Sequence, residues 1–427
     1  MSFVDVGFLN EEEIKMKRRS SILILVLAAM LIVFVASACA DPARSAPLLH
    51  EVRGELVDWV HRGHIAIVDK DSNLLYYVGD PNAFVFYRSI SKPMQALPTL
   101  VRGLDTRYNL EPNDIIIWSA SHSAEPEHFD ALVRIAASSG IREDWMIMTD
   151  LPGAAAQTRW RNERPEFSIF SRPFFHNCSG KHSSLLLLQR ELLREQLGRE
   201  PTGAEIRDSY WKQGSLADIE VIKAMSAMAE TDNFQFGIDG CGVPVFAAPM
   251  RNIAITFKNF GRPDKIVDDD LRAAASRYMP LIRNRPIMIG GTGSLCTFLN
   301  GQRNLVAKSG ANAAYGFALI HEGIGVSIKF VDGSGNMRMV VMEILRQLSE
   351  LGYIDPAFTD SFWLTDPQRR NVLINAAQME VGYREPVFTL RPYGGGGGGS
   401  SGCNVGFAAL AVFAIVPVMM IVRRRKG

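Results

Sequence analysis

The sequence predicts an α/β protein of the α+β kind, with a mainly antiparallel sheet flanked by helices and joined to a helical lobe. Runs rich in β-branched and aromatic residues occur near both ends of the body, as in residues 64–69, 74–78 and 325–331. Helical periodicity dominates the middle of the chain. This order of strands, helices and strands indicates one sheet built from both ends, within a compact two-lobed unit.

Individual elements follow from local patterns. The polar loop 69–73 between two β-rich runs predicts a hairpin. Pro126 and Gly140 mark the two ends of one helix. Further strands are predicted over 84–87, 115–118, 305–308 and 315–319. Further helices are predicted over 93–100, 181–197, 216–230, 268–283 and 337–351.

Charge and cysteine content exclude two classes of protein. The 46 basic and 45 acidic residues nearly balance, so the chain lacks the basic surface of a nucleic-acid-binding protein. Of five cysteines, Cys39 and Cys403 lie in the terminal segments. The three that remain in the body cannot close a disulfide framework, so the fold is not a disulfide-stapled scaffold.

Residues 1–40 resemble an export signal. A basic cluster from Lys15 to Arg19 precedes the apolar run 22–38, which ends in the small-residue pattern Ala36-Ser37-Ala38. These are the n-region, h-region and cleavage site of a signal peptide. An uncleaved N-terminal anchor is the alternative.

The C-terminal end has a linker and an apolar tail. Residues 394–404 are rich in glycine and serine, which is typical of a flexible linker. Residues 405–427 contain an apolar run long enough to span a bilayer, followed by four basic residues. The tail resembles glycine-rich bacterial sorting tags, which a sorting protease removes, and a plain membrane anchor is the alternative. Either places residues 41–393 outside the cytoplasm, at the periplasmic face of the inner membrane or the cell surface.

Two serine–lysine motifs indicate acyl-transfer chemistry. Ser89 and Lys92 are three residues apart ahead of Pro93, so on a helix the hydroxyl and the amine could touch. A buried lysine with a lowered pKa can take a proton from serine. Lys308-Ser309-Gly310 resembles the K-T-G element of the same enzymes, and a second lysine would lower the pKa of the first. Each motif alone also fits solvated surface lysines.

Three further segments carry polar or sulfur groups. Ser121, His122 and Glu125 follow a predicted strand, where they could form a site or only cap a helix. Cys178 lies in the run Asn-Cys-Ser-Gly-Lys-His, and Cys241 in Asp-Gly-Cys-Gly-Val-Pro. The two thiols could share a metal ion, form a disulfide or remain buried and inert.

Taken together, these motifs resemble the L-asparaginase II, or rhizobial-type, family of bacterial asparaginases. The resemblance covers about residues 50–352, and the motifs occur in the family's order at similar spacing. The runs that carry it are 52–55, 61–64, 88–98, 120–123, 177–182, 239–244 and 308–310.

The resemblance implies a fold like that of serine β-lactamases and glutaminases, hydrolysis of L-asparagine and a homodimer. It implies that Ser89 is the nucleophile and Lys92 its base, with Ser121 and Lys308 as a second pair. Other roles that it implies concern the same pocket: zinc that supports substrate binding would be held by Cys178, Lys181 and Cys241, and the substrate would meet His122, His182 and Asp239.

Three departures from the family pattern bear on substrate preference more than on reaction class. Ser294 stands where arginine is usual, residues 214–218 lack an Asp-His-Pro element, and residues 311–314 lack an acidic residue. Two other functions share some of the motifs. One is a penicillin-binding or β-lactamase-like acyl hydrolase, although no S-x-N element is present, and the other is a non-catalytic surface binding protein on an asparaginase scaffold.

Overall fold

Residues 44–148, 172–359 and 371–394 are described by a computed structural model of the chain. Twelve strands occur within these ranges. They are β1 (Ala46–Arg53), β2 (Leu56–Val68), β3 (Leu74–Val78), β4 (Phe84–Phe86), β5 (Gln235–Ile238), β6 (Pro244–Pro249), β7 (Leu305–Gly310), β8 (Ala314–Leu319), β9 (Ile324–Phe330), β10 (Val372–Ile374), β11 (Glu380–Pro386) and β12 (Arg391–Pro392).

Nine of the described strands form one antiparallel sheet. Seven follow the order β10-β11-β1-β2-β9-β8-β7, while β3 pairs with β2 and β12. The other three form a small sheet in the order β4-β6-β5. Because early strands pair with late ones, the sheet is built from both ends of the body, and the predicted fold class is confirmed.

The described helices lie mainly between β4 and β7 in the sequence. They are α1 (Lys92–Gln95), α2 (Leu97–Val101), α3 (Leu104–Arg107), α4 (Pro112–Ile116), α5 (Pro126–Ser139), α6 (Ser179–Leu197), α7 (Gly203–Arg207), α8 (Leu216–Ala229), α9 (Met250–Gly261), α10 (Asp269–Asn284), α11 (Ile287–Gly290), α12 (Leu295–Asn300) and α13 (Met337–Glu350).

Helix α9 packs closely on the central strands because two glycines leave room for it. A Cβ atom on Gly316 of β8 would lie 2.0 Å from the Phe257 ring, and one on Gly325 of β9 would lie 2.1 Å from the Ala254 carbonyl oxygen. Each of these distances is shorter than a van der Waals contact. The helix therefore covers one face of the sheet at the level of β8 and β9.

The strand predicted over 115–118 is wrong. Residues 112–116 form α4, and a 3₁₀ turn continues through Ser119. Pro112 occupies the first turn of α4, and the Glu111 and Asp114 side chains cap each other's backbone N–H groups. A short, fully buried apolar run shows no period that separates helix from strand, so these start signals decide the conformation.

The predicted terminal segments 1–40 and 405–427 lie outside the described residues. Among the residues that the structure describes, no helix is long and apolar enough to cross a membrane.

Candidate active site

Two lysines converge on the hydroxyl of Ser121. Lys308 Nζ lies 2.9 Å from Ser121 Oγ, and Lys92 Nζ lies 3.1 Å from the same oxygen. Lys92 also donates to the main-chain oxygens of Ala120 and Asn177, at 2.6 and 3.1 Å. Lys308 donates to the Ser309 carbonyl at 2.7 Å. The two predicted serine–lysine motifs therefore meet at one point, through Ser121.

The expected contact between Ser89 and Lys92 is not made. Ser89 belongs to a 3₁₀ turn, Arg88–Ser91, and Lys92 begins the next helix, so the pair does not share one regular α-helix. Within the described residues, the Ser89 hydroxyl makes no side-chain hydrogen bond, whereas Lys92 points to Ser121. Among these residues the Ser89 hydroxyl therefore has no side-chain partner, and the amine of Lys92 is hydrogen-bonded to other groups.

The backbone that presents Ser89 is strained. Arg88 has φ of +51°, a left-handed conformation that side-chain-bearing residues rarely adopt. The turn rests against the end of β7, because a Cβ atom on Gly310 would lie 3.0 Å from the Tyr87 carbonyl oxygen. The Lys-Ser-Gly motif therefore supplies both an amine and the close backbone contact that supports the Ser89 turn.

Burial makes both lysines easier to deprotonate. It lowers the pKa of Lys308 to about 8, and the charge of Lys92 adds to this. Burial likewise lowers the pKa of Lys92, although the Cys178 thiol partly opposes the shift. A lysine whose pKa is close to neutral pH can act as a proton acceptor for a serine.

The thiol cluster, defined as Cys178, Lys181 and Cys241, lies beside these residues. Lys181 Nζ is 3.0 Å from Cys241 Sγ, and all three side chains are buried. Both cysteines are free, so the disulfide alternative is not seen. Asp239 completes the surroundings, with Oδ2 3.7 Å from Lys181 Nζ and Oδ1 2.8 Å from Arg88 Nε.

Charge is unevenly distributed in the thiol cluster. The hydrogen bond with Cys241 lowers the pKa of Cys178 well below its usual value, and the same bond raises the pKa of Cys241. Burial opposes the charge of Lys181, but the two thiols outweigh it and raise the pKa of Lys181. An ammonium group therefore lies against sulfur where a soft metal cation could also lie.

The two predicted substrate-contacting histidines are enclosed. His122 Nε2 lies 2.8 Å from Ser179 Oγ, and the His122 ring stacks on His128. His182 Nδ1 lies 2.9 Å from the Tyr210 hydroxyl. Burial lowers the pKa of both His122 and His182 well below the usual value, so both rings are neutral.

Helix α6 begins close to the Ser121 segment. A Cβ atom on Gly180 would lie 1.9 Å from the Ile117 carbonyl oxygen, so only glycine permits this approach. The approach brings Asn177, whose carbonyl accepts from Lys92, and the thiol cluster to the same place. Gly180 of the Asn-Cys-Ser-Gly-Lys-His motif is therefore required for the close packing of α6 against the segment that leads to Ser121.

The contacts of two supporting residues were not predicted from the sequence. Glu125 accepts hydrogen bonds from the Thr292 N–H at 2.8 Å and the Ser123 hydroxyl at 3.1 Å, which ties the loop after α11 to the Ser121 segment. Cys296 Sγ accepts from the Ser309 N–H at 3.1 Å. The sequence predicted Glu125 only as a member of the Ser121 cluster, and nothing in the sequence around Cys296 signals its contact.

The family model for L-asparaginase II matches residues 49–384, well over half of the chain. The chain belongs to the L-asparaginase II family. This confirms the resemblance inferred from the motifs, and family membership supports an amidohydrolase. A comparison of the sequence with curated proteins found no match.

Solved structures similar to this L-asparaginase II family member include Mglu and a Bacillus glutaminase. Mglu in its native form at 4.3 M NaCl has 14% identity and a TM-score of 0.32, and the match covers 69% of this chain and 61% of Mglu. A Bacillus glutaminase has 13% identity and a TM-score of 0.31, covering 76% and 98%. The chain thus spans less than two thirds of Mglu, and TM-scores this low carry no inference about its activity.

Proposed function

We propose that this L-asparaginase II family member hydrolyses the side-chain amide of L-asparagine to L-aspartate and ammonia, outside the cytoplasm. The observation that carries the proposal is the convergence of Lys92 and Lys308 on Ser121 Oγ, next to the strained turn that presents Ser89. Buried amines with lowered pKa values beside serine hydroxyls are the elements of acyl transfer.

In the proposed mechanism Ser89 is the nucleophile. Its hydroxyl makes no side-chain hydrogen bond within the described residues and is therefore available to a carbonyl carbon. As the Ser89 Oγ–C bond forms, the Ser89 proton passes to Lys92, whose amine must first turn from Ser121 toward Ser89. The Ser89 N–H, which donates no hydrogen bond within the described residues, is a candidate donor to the oxyanion. Collapse of the tetrahedral intermediate breaks the C–N bond, and a water molecule then releases aspartate from the acyl-serine.

Ser121 is proposed to carry protons between the lysines and the leaving group. Its oxygen contacts both amines. A proton taken up by Lys92 can therefore pass to the Ser121 oxygen as the Ser121 hydroxyl proton moves to the departing nitrogen, while the hydrogen bond with Lys308 holds that oxygen in place. The same contacts favour a second assignment, in which Ser121 itself attacks and Lys308 is its base. Identification of the acylated serine distinguishes the two.

The activity is tested with a panel of amides and coupled ammonia detection. We expect ammonia release from L-asparagine to exceed that from L-glutamine and from amidated peptides, and nitrocefin to remain uncleaved. With intact cells, added asparagine should be hydrolysed without lysis. Nitrocefin turnover without ammonia release would favour a β-lactamase-like hydrolase, and inactivity on every compound would favour a binding protein.

We further propose that the thiol cluster holds Zn²⁺. Within the described residues no three side chains from His, Cys, Asp and Glu are arranged to bind a metal ion, so the lysine must complete the set. Two thiolates and one amine suit a thiophilic cation with a fourth position open, provided that Lys181 loses its proton. Zinc there would supply a positive centre for substrate binding.

Zinc content should follow the two cluster cysteines. We expect C178S and C241S to lose bound zinc in elemental analysis and to raise KM more than they lower kcat, because the metal is assigned to binding. The matched control is C296S, which changes the third buried cysteine of the body, outside the cluster, and should keep its zinc. A native protein without zinc, or equal zinc in all three variants, would contradict the assignment.

A further inference from the structure

Side chains of α12 bind the outer edge of β7, the strand that carries Lys308. In the sheet as described, β7 is the last strand, and β8 pairs with one of its edges. On the other edge the Ala307 N–H donates to Asn300 Oδ1 at 3.0 Å, and Asn300 Nδ2 donates to the Ala307 carbonyl at 2.8 Å. Two residues further on, the Ser309 N–H donates to Cys296 Sγ. These side chains therefore take the place of a further strand.

Lys308 lies between the two residues that α12 binds. Ala307 and Ser309 flank it, so hydrogen bonds fix the strand on both sides of the lysine. Asn300 is only 1% exposed, and its Nδ2 also donates to a carbonyl of its own helix at 2.8 Å, which fixes the orientation of the amide. The direction of the Lys308 side chain toward Ser121 depends on where β7 lies, and α12 determines that position.

The same helix is bonded to the segment that carries Ser121. Thr297 Oγ1 donates to the Gly291 carbonyl at 2.6 Å. Gly291 directly follows α11, and the Ile289 carbonyl of α11 accepts from the Ser121 N–H at 2.9 Å. Helix α12 therefore joins the strand of Lys308 to the segment of Ser121, with hydrogen bonds on both sides.

We propose that Asn300 is a positioning residue of amide hydrolysis, which holds the Lys308 amine on the Ser121 hydroxyl. Within the described residues its side chain bonds only to main-chain groups, so it acts through β7. The inference rests on the proposed function, in which the 2.9 Å contact between Lys308 Nζ and Ser121 Oγ serves proton transfer. A displacement of about 1 Å at a reacting group can lower turnover by as much as about 10²-fold.

The test is a double-mutant cycle on ammonia release from L-asparagine. N300L replaces both polar atoms of the amide by carbon and removes its three hydrogen bonds. We expect kcat to fall about tenfold or more, with KM unchanged within about twofold. In the K308M background, which already lacks the amine, N300L should cause no further loss, because Asn300 acts through Lys308. Equal losses in both backgrounds, or a change confined to KM, would overturn the proposal.

N304L is the matched control. Asn304 is also buried, and its side chain accepts from the His321 N–H at 2.8 Å and donates to Glu322 at 2.7 Å. It precedes β7 and lies four residues, or about 13 Å of extended chain, from Lys308. N304L should therefore lose hydrogen bonds at the far end of the strand and keep kcat within about twofold of the wild type. A loss of kcat equal to that of N300L would contradict the assignment.

A second variant and a second measurement complete the test. Should N300L not fold, T297V removes the bond to Gly291 with little change of shape, and the same absence of further loss in K308M is expected. Without any turnover, urea unfolding near pH 7 reports on the position of Lys308. K308M should raise the urea midpoint by removing a buried ammonium group, and by less in N300L, where water reaches the amine.

The two proposals fail in different ways. An equal rise of the urea midpoint in both backgrounds would overturn the role of Asn300, whether or not the chain hydrolyses amides. A wild-type chain that releases no ammonia would contradict the proposed function, and a smaller rise in N300L would then still assign Asn300 to the contact between Lys308 and Ser121.

Discussion

S89A should abolish amide hydrolysis, lowering kcat by about 10³-fold or more, while the protein stays folded. Ser89 is assigned the attacking oxygen, so under this assignment no acyl intermediate forms without its hydroxyl. S121A should lose less, about 10²-fold, because proton transfer can pass through water. The measurements are steady-state ammonia release and mass mapping of the adduct formed with a slow acyl substrate.

A matched serine outside the site controls for the loss of a hydroxyl. Ser183 is buried in α6, and its hydroxyl donates only to the Gly180 carbonyl within the same helix. S183A should keep full activity. An adduct on Ser121, together with substantial turnover by S89A, would transfer the nucleophile to the serine that both lysines contact.

K92R should be as inactive as S89A, since arginine does not deprotonate.

K308M should lower activity by about 10²-fold and yet make the protein more stable near pH 7. In the folded chain the pKa of Lys308 falls from 10.5 to about 8. The unfolded chain holds this proton more tightly, so wild-type stability rises as the pH rises from about 8 to 10.5. Below pH 8 the folded state bears the full free-energy cost of burying the charged amine. That cost is about 3 kcal/mol for a shift of this size.

Methionine removes the cost of the buried charge but also two hydrogen bonds. We expect a net gain of about 2 kcal/mol in the free energy of unfolding near pH 7, after about 1 kcal/mol for the lost bonds. The gain should vanish near pH 9.5, where wild-type Lys308 is mostly neutral in the folded state. Urea unfolding at the two pH values measures both.

Lys258 provides the contrasting variant. It is also a buried lysine, but its Nζ lies 3.0 Å from Glu230 Oε1, so its charge is paired. K258M should therefore destabilise the protein at both pH values. If K308M also destabilised it at both, the lowered pKa of Lys308 would be wrong.

Patterns with a clear period or a cap gave the correct elements. The helix from Pro126 to Gly140 is α5 within one residue, and the run Leu74–Val78 is β3 without change. Strands β1, β6 and β10 to β12 were not predicted. Buried and exposed positions do not alternate along β1 or β11, so these two strands lack the pattern that marks a half-buried strand, and only tertiary pairing defines them.

The site could be predicted as a set of residues but not as a set of contacts. The motifs gave Ser89, Lys92, Ser121 and Lys308 together. Sequence spacing placed Lys92 against Ser89, yet the amine reaches Ser121 and the Asn177 carbonyl, 85 residues away. Local spacing describes one helix, whereas the direction of a buried amine depends on the acceptors that packing brings to it.

The interleaving of early and late strands bears on how the chain is made. When the ribosome has added residue 300, β1 and β2 are complete but still lack β9, β11 and the lysine of β7. Contacts between such distant segments form slowly, and they cannot form before the later segment exists. A nascent or truncated chain of that length is therefore catalytically silent. Amide hydrolysis would report completed synthesis and closure of the whole sheet, and not folding of the N-terminal half alone.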